Sequence, residues 1–234
     1  PSGINMDRKT REPQYQICLD IAQKEGLSSL GLMTNQVWKE DPRRLVFTLS
    51  RYKFVSKMFS GFENVLEVGC ADAFGTRIVQ QECKNVTVID FDPIFIDDVK
   101  MRNTKEWKLD AYVHDILSGP VDGKFDGIFS LDVLEHINNN DENTFLKNII
   151  LSLRDNGVLI IGTPSIQSQK FASNVSKQGH INCKSGKELK DLLLQYFERV
   201  FLFSMNDEVV HTGYYPMAHY LFAICCMKND KAFQ

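Results

Sequence analysis

In the segment LEVGCADAFGT (66–76), small residues stand at positions 69, 71, 73 and 75, between a predicted strand and a predicted helix. Such a turn lets a ligand approach the backbone closely at the amino end of a helix. Turns of this composition are often only structural, so the neighbouring acids matter. Glu67 lies just before the turn, and Asp90 closes the next predicted strand, where a carboxylate can accept both hydroxyls of a ribose. Four imidazoles, His136, His180, His211 and His219, fall in the half of the chain that should face a substrate. Each can take a proton near neutral pH, although a lone histidine is more often satisfied within the fold. His180, in KQGHINCKSGKEL (177–189), is the first candidate for a general base and His136 the second. Asp132 alone is too little for a metal, which needs several converging oxygens, so no metal is expected. Cys18, Cys70, Cys83, Cys183, Cys225 and Cys226 show no C-x-x-C spacing and read as reduced, mostly buried thiols.

These groups need a scaffold. NVLEVG (64–69), VTVIDF (86–91), AYVHDI (111–116), FDGIFS (125–130) and VLIIG (158–162) are short runs rich in Val, Ile and Phe, each fit to be a buried parallel strand. Helical stretches lie between them, one opened by Asp141 with Phe145, Ile149 and Leu153 on one face. The alternation implies right-handed crossovers and a parallel sheet covered on both faces. Near the end, Ser185 and Glu188 predict a capping box. FERVFLFSM (197–205) and HYLFAICCM (219–227) then follow one another with no helix between, so they suit an antiparallel pair joined by a long loop over 206–216. Residues 10–60 read as helical. Asp41 and Pro42 open the clearest piece, whose Leu45, Leu49, Tyr52, Val55 and Phe59 make one apolar stripe. The helix over 43–59 is expected to cap a sheet edge, and 26–40, with Trp38, to be a loop able to close a site. The expected organisation is a helical extension over 1–60 and one α/β domain over 61–234. Pro1–Asn5 is set aside as an expression remnant, with Met6 as a native start.

Lys and Arg number 27 against 30 Asp and Glu, so no overall field attracts a polyanion and a nucleic-acid partner is disfavoured. No apolar run approaches the roughly 18 residues that span a bilayer, so no membrane association is expected and the chain reads as soluble and cytoplasmic.

With these residues in place, the sequence resembles the class I S-adenosylmethionine-dependent methyltransferases, in the branch of the ubiquinone-biosynthesis O-methyltransferases. In that family the first motif reads acid-x-Gly-x-Gly-x-Gly. The resemblance places Glu67 near the cofactor's amino group and Gly69 under its methionine part, with Cys70 and Ala71 in the same turn. Ala71 and Ala73 depart from the pattern by standing at the later glycine positions, where the cofactor still fits if they keep negative φ. VTVIDFDP (86–93) resembles the second motif, which makes Asp90 the ribose ligand and Phe91 a wall against adenine; Asp92 reads as a helix N-cap. AYVHDIL (111–117) resembles the third, whose acid, here Asp115 with Ile116 beside it, takes the adenine amino group. FDGIFSLDVLEHI (125–137) resembles the fourth, with Ser130 and Leu131 beside the methionine part and Leu134-Glu135-His136 beginning the next helix.

The resemblance covers residues 60–228. It implies a Rossmann-like α/β fold: a mostly parallel seven-stranded sheet with a C-terminal antiparallel pair and helices on both faces. S-adenosylmethionine is the implied cofactor and S-adenosylhomocysteine the product. The fifth strand ends in GTPS (162–165) rather than the Asp-Asn of magnesium-dependent catechol-type enzymes, and Ser130-Leu131-Asp132 replaces the Asn/Asp-Pro-Pro of enzymes acting on base amines. What remains is methylation of a small-molecule acceptor, most naturally at a hydroxyl oxygen, with N- and C-methylation and a homodimer left open. A catalytically silent binding module is the rival reading. A nicotinamide-dependent dehydrogenase is disfavoured, because its G-x-G-x-x-G needs glycine where Ala71 stands.

Overall fold

A computed structural model describes residues 9–229, and the remnant expected at 1–5 lies outside them. Packing divides the described residues into two compact units, one up to Leu30 and one from Gly31 onward. In the first, a 3-10 turn at Pro13–Tyr15 runs into helix α1 (Gln16–Glu25), which stops at Gly26 in the left-handed region, φ 79°.

The second unit opens with α2 (Leu32–Glu40) and α3 (Pro42–Met58). The stretch 26–40, read from the sequence as a loop, is therefore helical from Leu32. The cause is tertiary: the carboxylate of Asp98 accepts from the Leu32 amide (3.2 Å) and that of Asp72 from the Thr34 amide (2.6 Å). Distant acids thus do the work of an N-cap that the local sequence lacks. In α3, Pro42 takes the first position as expected, but the Asp41 carboxylate accepts from Arg43 Nε (2.9 Å) rather than from the helix backbone.

The sheet is built from β1 (Asn64–Val68), β2 (Asn85–Asp90), β3 (Asp110–Val113), β4 (Phe125–Leu131), β5 (Leu153–Pro164), β6 (Phe197–Asn206), β7 (Val209–His211) and β8 (Tyr220–Lys228), in the order β3-β2-β1-β4-β5-β8-β6-β7. Strands β1 to β5 run parallel; β8 enters antiparallel between β5 and β6. There are eight strands rather than seven, because the connection expected to be loop folds back at Asp207 (φ 51°) and pairs Val209–His211 with the end of β6. The crossovers are α4 (Thr76–Gln80), α5 (Pro93–Arg102), α6 (Glu142–Ser152), α7 (Asn174–Gly179) and α8 (Gly186–Leu193), the last opened by the predicted Ser185–Glu188 capping box. Asp141 stands before α6 without making a side-chain cap.

Alternate residues of the central strands feed two cores. Leu66, Ile128, Leu159, Ile161 and Leu221 pack with Phe145 and Ile149 of α6 and Leu189 of α8, while Val65, Phe129, Ile160 and Phe222 pack with Val55 of α3 and Ile96 of α5. Burial on both faces explains why these strands read as unbroken apolar runs. Among the described residues, no helix is long and apolar enough to cross a membrane.

Candidate active site

The turn after β1 lies at the carboxyl end of the sheet. Gly69, Ala71 and Ala73 all have positive φ, at 75°, 45° and 49°. The negative φ expected of the two alanines is thus overturned, at a cost of about 1 kcal/mol for each left-handed residue with a Cβ. Hydrogen bonds hold the turn in this shape. The Gly69 and Cys70 amides both donate to the Ile89 carbonyl (2.9 and 3.0 Å), Ala73 N–H donates to Cys70 O (2.8 Å), and Ala71 N–H donates to the Asp90 carboxylate (2.8 Å). At Gly69 a Cβ would overlap Val133, and at Gly75 it would overlap the Tyr52 ring, so each glycine is also required by a close approach.

Asp90 is nearly buried, and its second oxygen accepts from the Asp92 amide (3.0 Å). An ionised carboxylate offers about four lone-pair directions, so acceptor capacity remains for two ribose hydroxyls. Asp92 caps α5 through Ile94 N–H (2.9 Å), as the sequence predicts, and the Phe91 ring between them is exposed. Glu67 is enclosed beneath the turn, where Tyr52 Oη donates to it (2.8 Å) and the Thr76 hydroxyl donates to its other oxygen. Burial raises its pKa from the usual 4.5 to about 8, against the pull of the two hydroxyls and with help from Asp72 and Asp90. Tyr52, Thr76 and Asp72 are site residues that sequence reasoning missed.

The remaining motif residues are not all brought together. Strand β3 ends at Val113, and exposed Asp115 accepts from Leu117 N–H (2.9 Å) in its own turn. The Ile116 side chain is buried in the core on the α6 side, so its side chain is spent on packing. Ser130 is likewise buried, its hydroxyl donating to Val68 O (2.9 Å), which ties β4 to β1 just below the turn.

A cavity of about 410 Å³ joins the turn to the acceptor-side residues. Gly69, Cys70, Ala71 and Leu131 lie on one side of it, Leu45 and Leu49 of α3 on another, and Glu135, His136 and His180 at a third. Arg51 lies 3.8 Å over the Tyr220 ring and pairs with Asp132 (2.6 Å), whose own φ is 57°. A second cavity, of about 490 Å³, lies at the amino ends of β1, β2 and β3, away from the end where open α/β sheets bind ligands.

Leu134–His136 forms a 3-10 turn rather than the start of α6. Glu135 is fully buried; one oxygen accepts from Thr163 Oγ1 (3.1 Å), and Oε1 has no hydrogen-bond partner. Burial and the nearby Asp132 charge raise its pKa. His136 Nδ1 lies 2.9 Å from the Gly179 carbonyl and His180 Nδ1 lies 2.9 Å from Gln169 Oε1. Partial burial, then the neighbouring His136, lower the His180 pKa, so its ring is neutral at physiological pH. His211 and His219 are satisfied in the β6–β7 hairpin, through Asn206, Gly213 and the Asp207 amide, and do not line the cavity. The expectation of no metal rested on Asp132 alone; Glu135, His136 and His180 bring three ligand atoms within 4.8 Å of one another.

A Rossmann-like sheet that ends in a reversed strand, with an acid-flanked glycine turn at its carboxyl end, is the class I S-adenosylmethionine-dependent methyltransferase fold. A family described as a methyltransferase domain matches residues 66–161, and this match together with the fold supports a class I S-adenosylmethionine-dependent methyltransferase. A curated relative, a malonyl-[acyl-carrier protein] O-methyltransferase from Calditerrivibrio nitroreducens, is 26% identical over 139 residues, covering 59% of this chain and 53% of the relative. The chain thus spans about half the length of that relative. Among solved structures, the N-methyltransferase NodS from Bradyrhizobium japonicum WM9 in complex with S-adenosylhomocysteine superposes with a TM-score of 0.58 at 23% identity, covering 82% of this chain and 90% of NodS. DhpI in complex with S-adenosylhomocysteine gives 0.60 at 14% identity, with 82% and 90% covered. These likenesses are of fold.

Proposed function

We propose that this chain transfers a methyl group from S-adenosylmethionine to a hydroxyl oxygen of a small-molecule acceptor, leaving S-adenosylhomocysteine. The observation that carries the reading is the single cavity in which the Gly69–Gly75 turn and the pair His136 and His180 share walls. The turn fits the methionine part of the cofactor. Its left-handed residues direct backbone rather than side chain to the ligand, while Asp90 keeps acceptor capacity for the ribose and exposed Phe91 offers a face to adenine. Asp115, two residues past the end of β3, is the acceptor that this reading assigns to the adenine amino group.

When bound, the cofactor supplies a methyl group on a sulfonium. The protein's task is then to hold the acceptor oxygen at about 3 to 3.5 Å in line with that methyl and to exclude water. Leu45, Leu49 and Leu131 give the cavity dry walls. His136 and His180 have Nδ1 occupied by carbonyl oxygens, which leaves the Nε2 lone pair of each available on the acceptor side of the cavity. Support for oxygen as the acceptor atom comes from the O-methyltransferase relative and from the absence of the base-amine motif after β4.

Calorimetric titration with S-adenosylmethionine and S-adenosylhomocysteine, followed by a methyl-transfer screen over hydroxylated metabolites, tests the proposal. Stoichiometric binding of both and turnover of a hydroxylated compound are expected. Binding without any turnover would favour the silent module, and no binding would end the reading.

A further inference from the structure

We infer that Glu135, His136 and His180 form a binding site for a divalent transition-metal ion, which faces the cavity and holds the oxygen of the acceptor. The inference deepens the proposed function and rests on it for the identity of the acceptor, but the metal site itself stands on the geometry alone.

Each of the three groups offers a ligand atom, and the atoms lie within 4.8 Å of one another, with Glu135 Oε1 4.0 Å from His136 Nε2. Ligands about 2.1 Å from one ion stand roughly 3 to 3.5 Å apart, so the set must close by roughly 1 to 2 Å. His136, half exposed at the rim, can make that movement.

The second observation is the state of Glu135. Its carboxylate is fully buried, one oxygen is held by Thr163, and Oε1 is left without any partner. A buried carboxylate oxygen with no donor is costly unless the group takes up a proton or a cation occupies the position. Had the trio been only structural, Oε1 would be expected to have a hydrogen bond of its own.

The third is the outer shell. Histidines that bind metals almost always donate the other ring nitrogen to a carbonyl or carboxylate, which fixes the tautomer. Here His136 Nδ1 meets Gly179 O. His180 Nδ1 meets Gln169 Oε1, and the Gln169 amide nitrogen is turned to Ser165 O (3.3 Å), so it is the oxygen that faces the imidazole. Both Nε2 atoms therefore carry lone pairs. The loop after α7 is pinned against the 134–136 turn by the His136–Gly179 bond and by Asn182 N–H donating to Glu135 O (2.9 Å), which sets His180 beside Glu135.

Two imidazoles and one carboxylate suit zinc, cobalt, iron or manganese better than calcium, which takes six or more oxygens. Three protein ligands leave coordination positions open toward the cavity. The ligand class those positions select is a small molecule that presents an oxygen, a hydroxyl or a carboxylate, which the ion orients toward the cofactor end of the cavity.

The test uses the full chain, stripped with a chelator and titrated with Zn²⁺ and with Co²⁺ by calorimetry, the cobalt complex also being read by visible absorption. One ion per chain is expected. His180→Ala and Glu135→Gln should each weaken it by about a hundredfold or more, and Gln169→Ala by about tenfold, the range found for outer-shell partners. His136→Asn, at a half-exposed position, keeps the test decisive if Glu135→Gln proves unstable, and thermal melts of every variant show which are folded. A wild type that binds no metal, or an ion whose affinity folded His136→Asn and His180→Ala leave within about threefold, overturns the site. S-adenosylhomocysteine titrated into the same samples separates the two conclusions: its failure to bind beside intact metal binding sinks the methyltransferase reading and leaves the metal site standing.

Discussion

Replacing Glu67 with glutamine should change how the stability of this protein depends on pH. In the folded chain the carboxyl is enclosed beneath the turn and its pKa stands at about 8, whereas in the unfolded chain it returns to about 4.5. Between these values the folded state holds more protons than the unfolded state, so stability falls as pH rises; the contribution is complete below about 4.5 and lost as pH passes 8. The linkage relation gives a loss of roughly 2 to 3 kcal/mol from about pH 5 to about pH 7, with a full span of about 5 kcal/mol. Glutamine keeps an oxygen for the Tyr52 hydroxyl and presents its amide to Thr76 Oγ1, which can accept as well as donate, so the shape of the site survives. Urea unfolding of both proteins at a series of pH values is the assay, and the quantity read is the difference between them, which cancels every other titrating group. Glu67→Gln should gain on the wild type by about 2 to 3 kcal/mol over those two pH units. Parallel curves would mean that Glu67 is already ionised in the folded state, and the account of its burial would fail.

Asp90→Ala leaves the Ala71 and Asp92 amides without acceptors, so thermal unfolding should show a loss of about 2 kcal/mol, and S-adenosylhomocysteine should bind at least about tenfold more weakly by calorimetry. Unchanged affinity in the folded variant would remove Asp90 from the cofactor site. Gly69→Val forces a β-branched residue to φ 75° and against Val133, which should cost about 3 kcal/mol in denaturant unfolding and abolish cofactor binding; a normal titration would mean that the turn is misplaced. His180→Gln should reduce turnover by about tenfold or more once an acceptor is known, while S-adenosylhomocysteine affinity stays within about threefold, and a near-normal rate would free His180 of any acceptor-side role.

The parts of the site visible in the sequence are those built from neighbouring residues. The turn at 66–76, the strand closed by Asp90, the Asp92 cap and the Ser185–Glu188 box each lie within a few residues, and each stands where its spacing puts it. What escaped depends on residues far apart. Helix α2 takes its amino-terminal acceptors from Asp72 and Asp98, and the wall made by Arg51 and Asp132 joins α3 to the end of β4, so neither has a local pattern. The left-handed alanines escaped for another reason: propensity argues against positive φ at a residue with a Cβ, and the bonds that the Ala71 and Ala73 amides donate to the Asp90 carboxylate and the Cys70 carbonyl override it. Ile116 and Ser130 have the right place in their motifs, yet burial turns one side chain into the core and the other onto a neighbouring strand. The β7 strand is only Val209–His211, too short to show alternation, although Asn206 and Asp207 already signal a tight turn.

The place of β8 in the sheet has a consequence for how the protein is made. This strand, near the end of the described chain, fills the gap between β5 and β6 and pairs with both, from Leu159↔Cys225 to Pro164↔Tyr220 on one side and from Phe197↔Lys228 to Met205↔Tyr220 on the other. A nascent chain that has emerged only as far as Asn206 therefore carries two unpaired apolar edges facing each other across an empty slot. At about 5 to 20 residues per second, the wait before Lys228 is added is roughly 1 to 4 s, long on the scale of strand pairing. During that interval β5 and β6 are open to one another, and to the edges of other nascent chains on the same polysome.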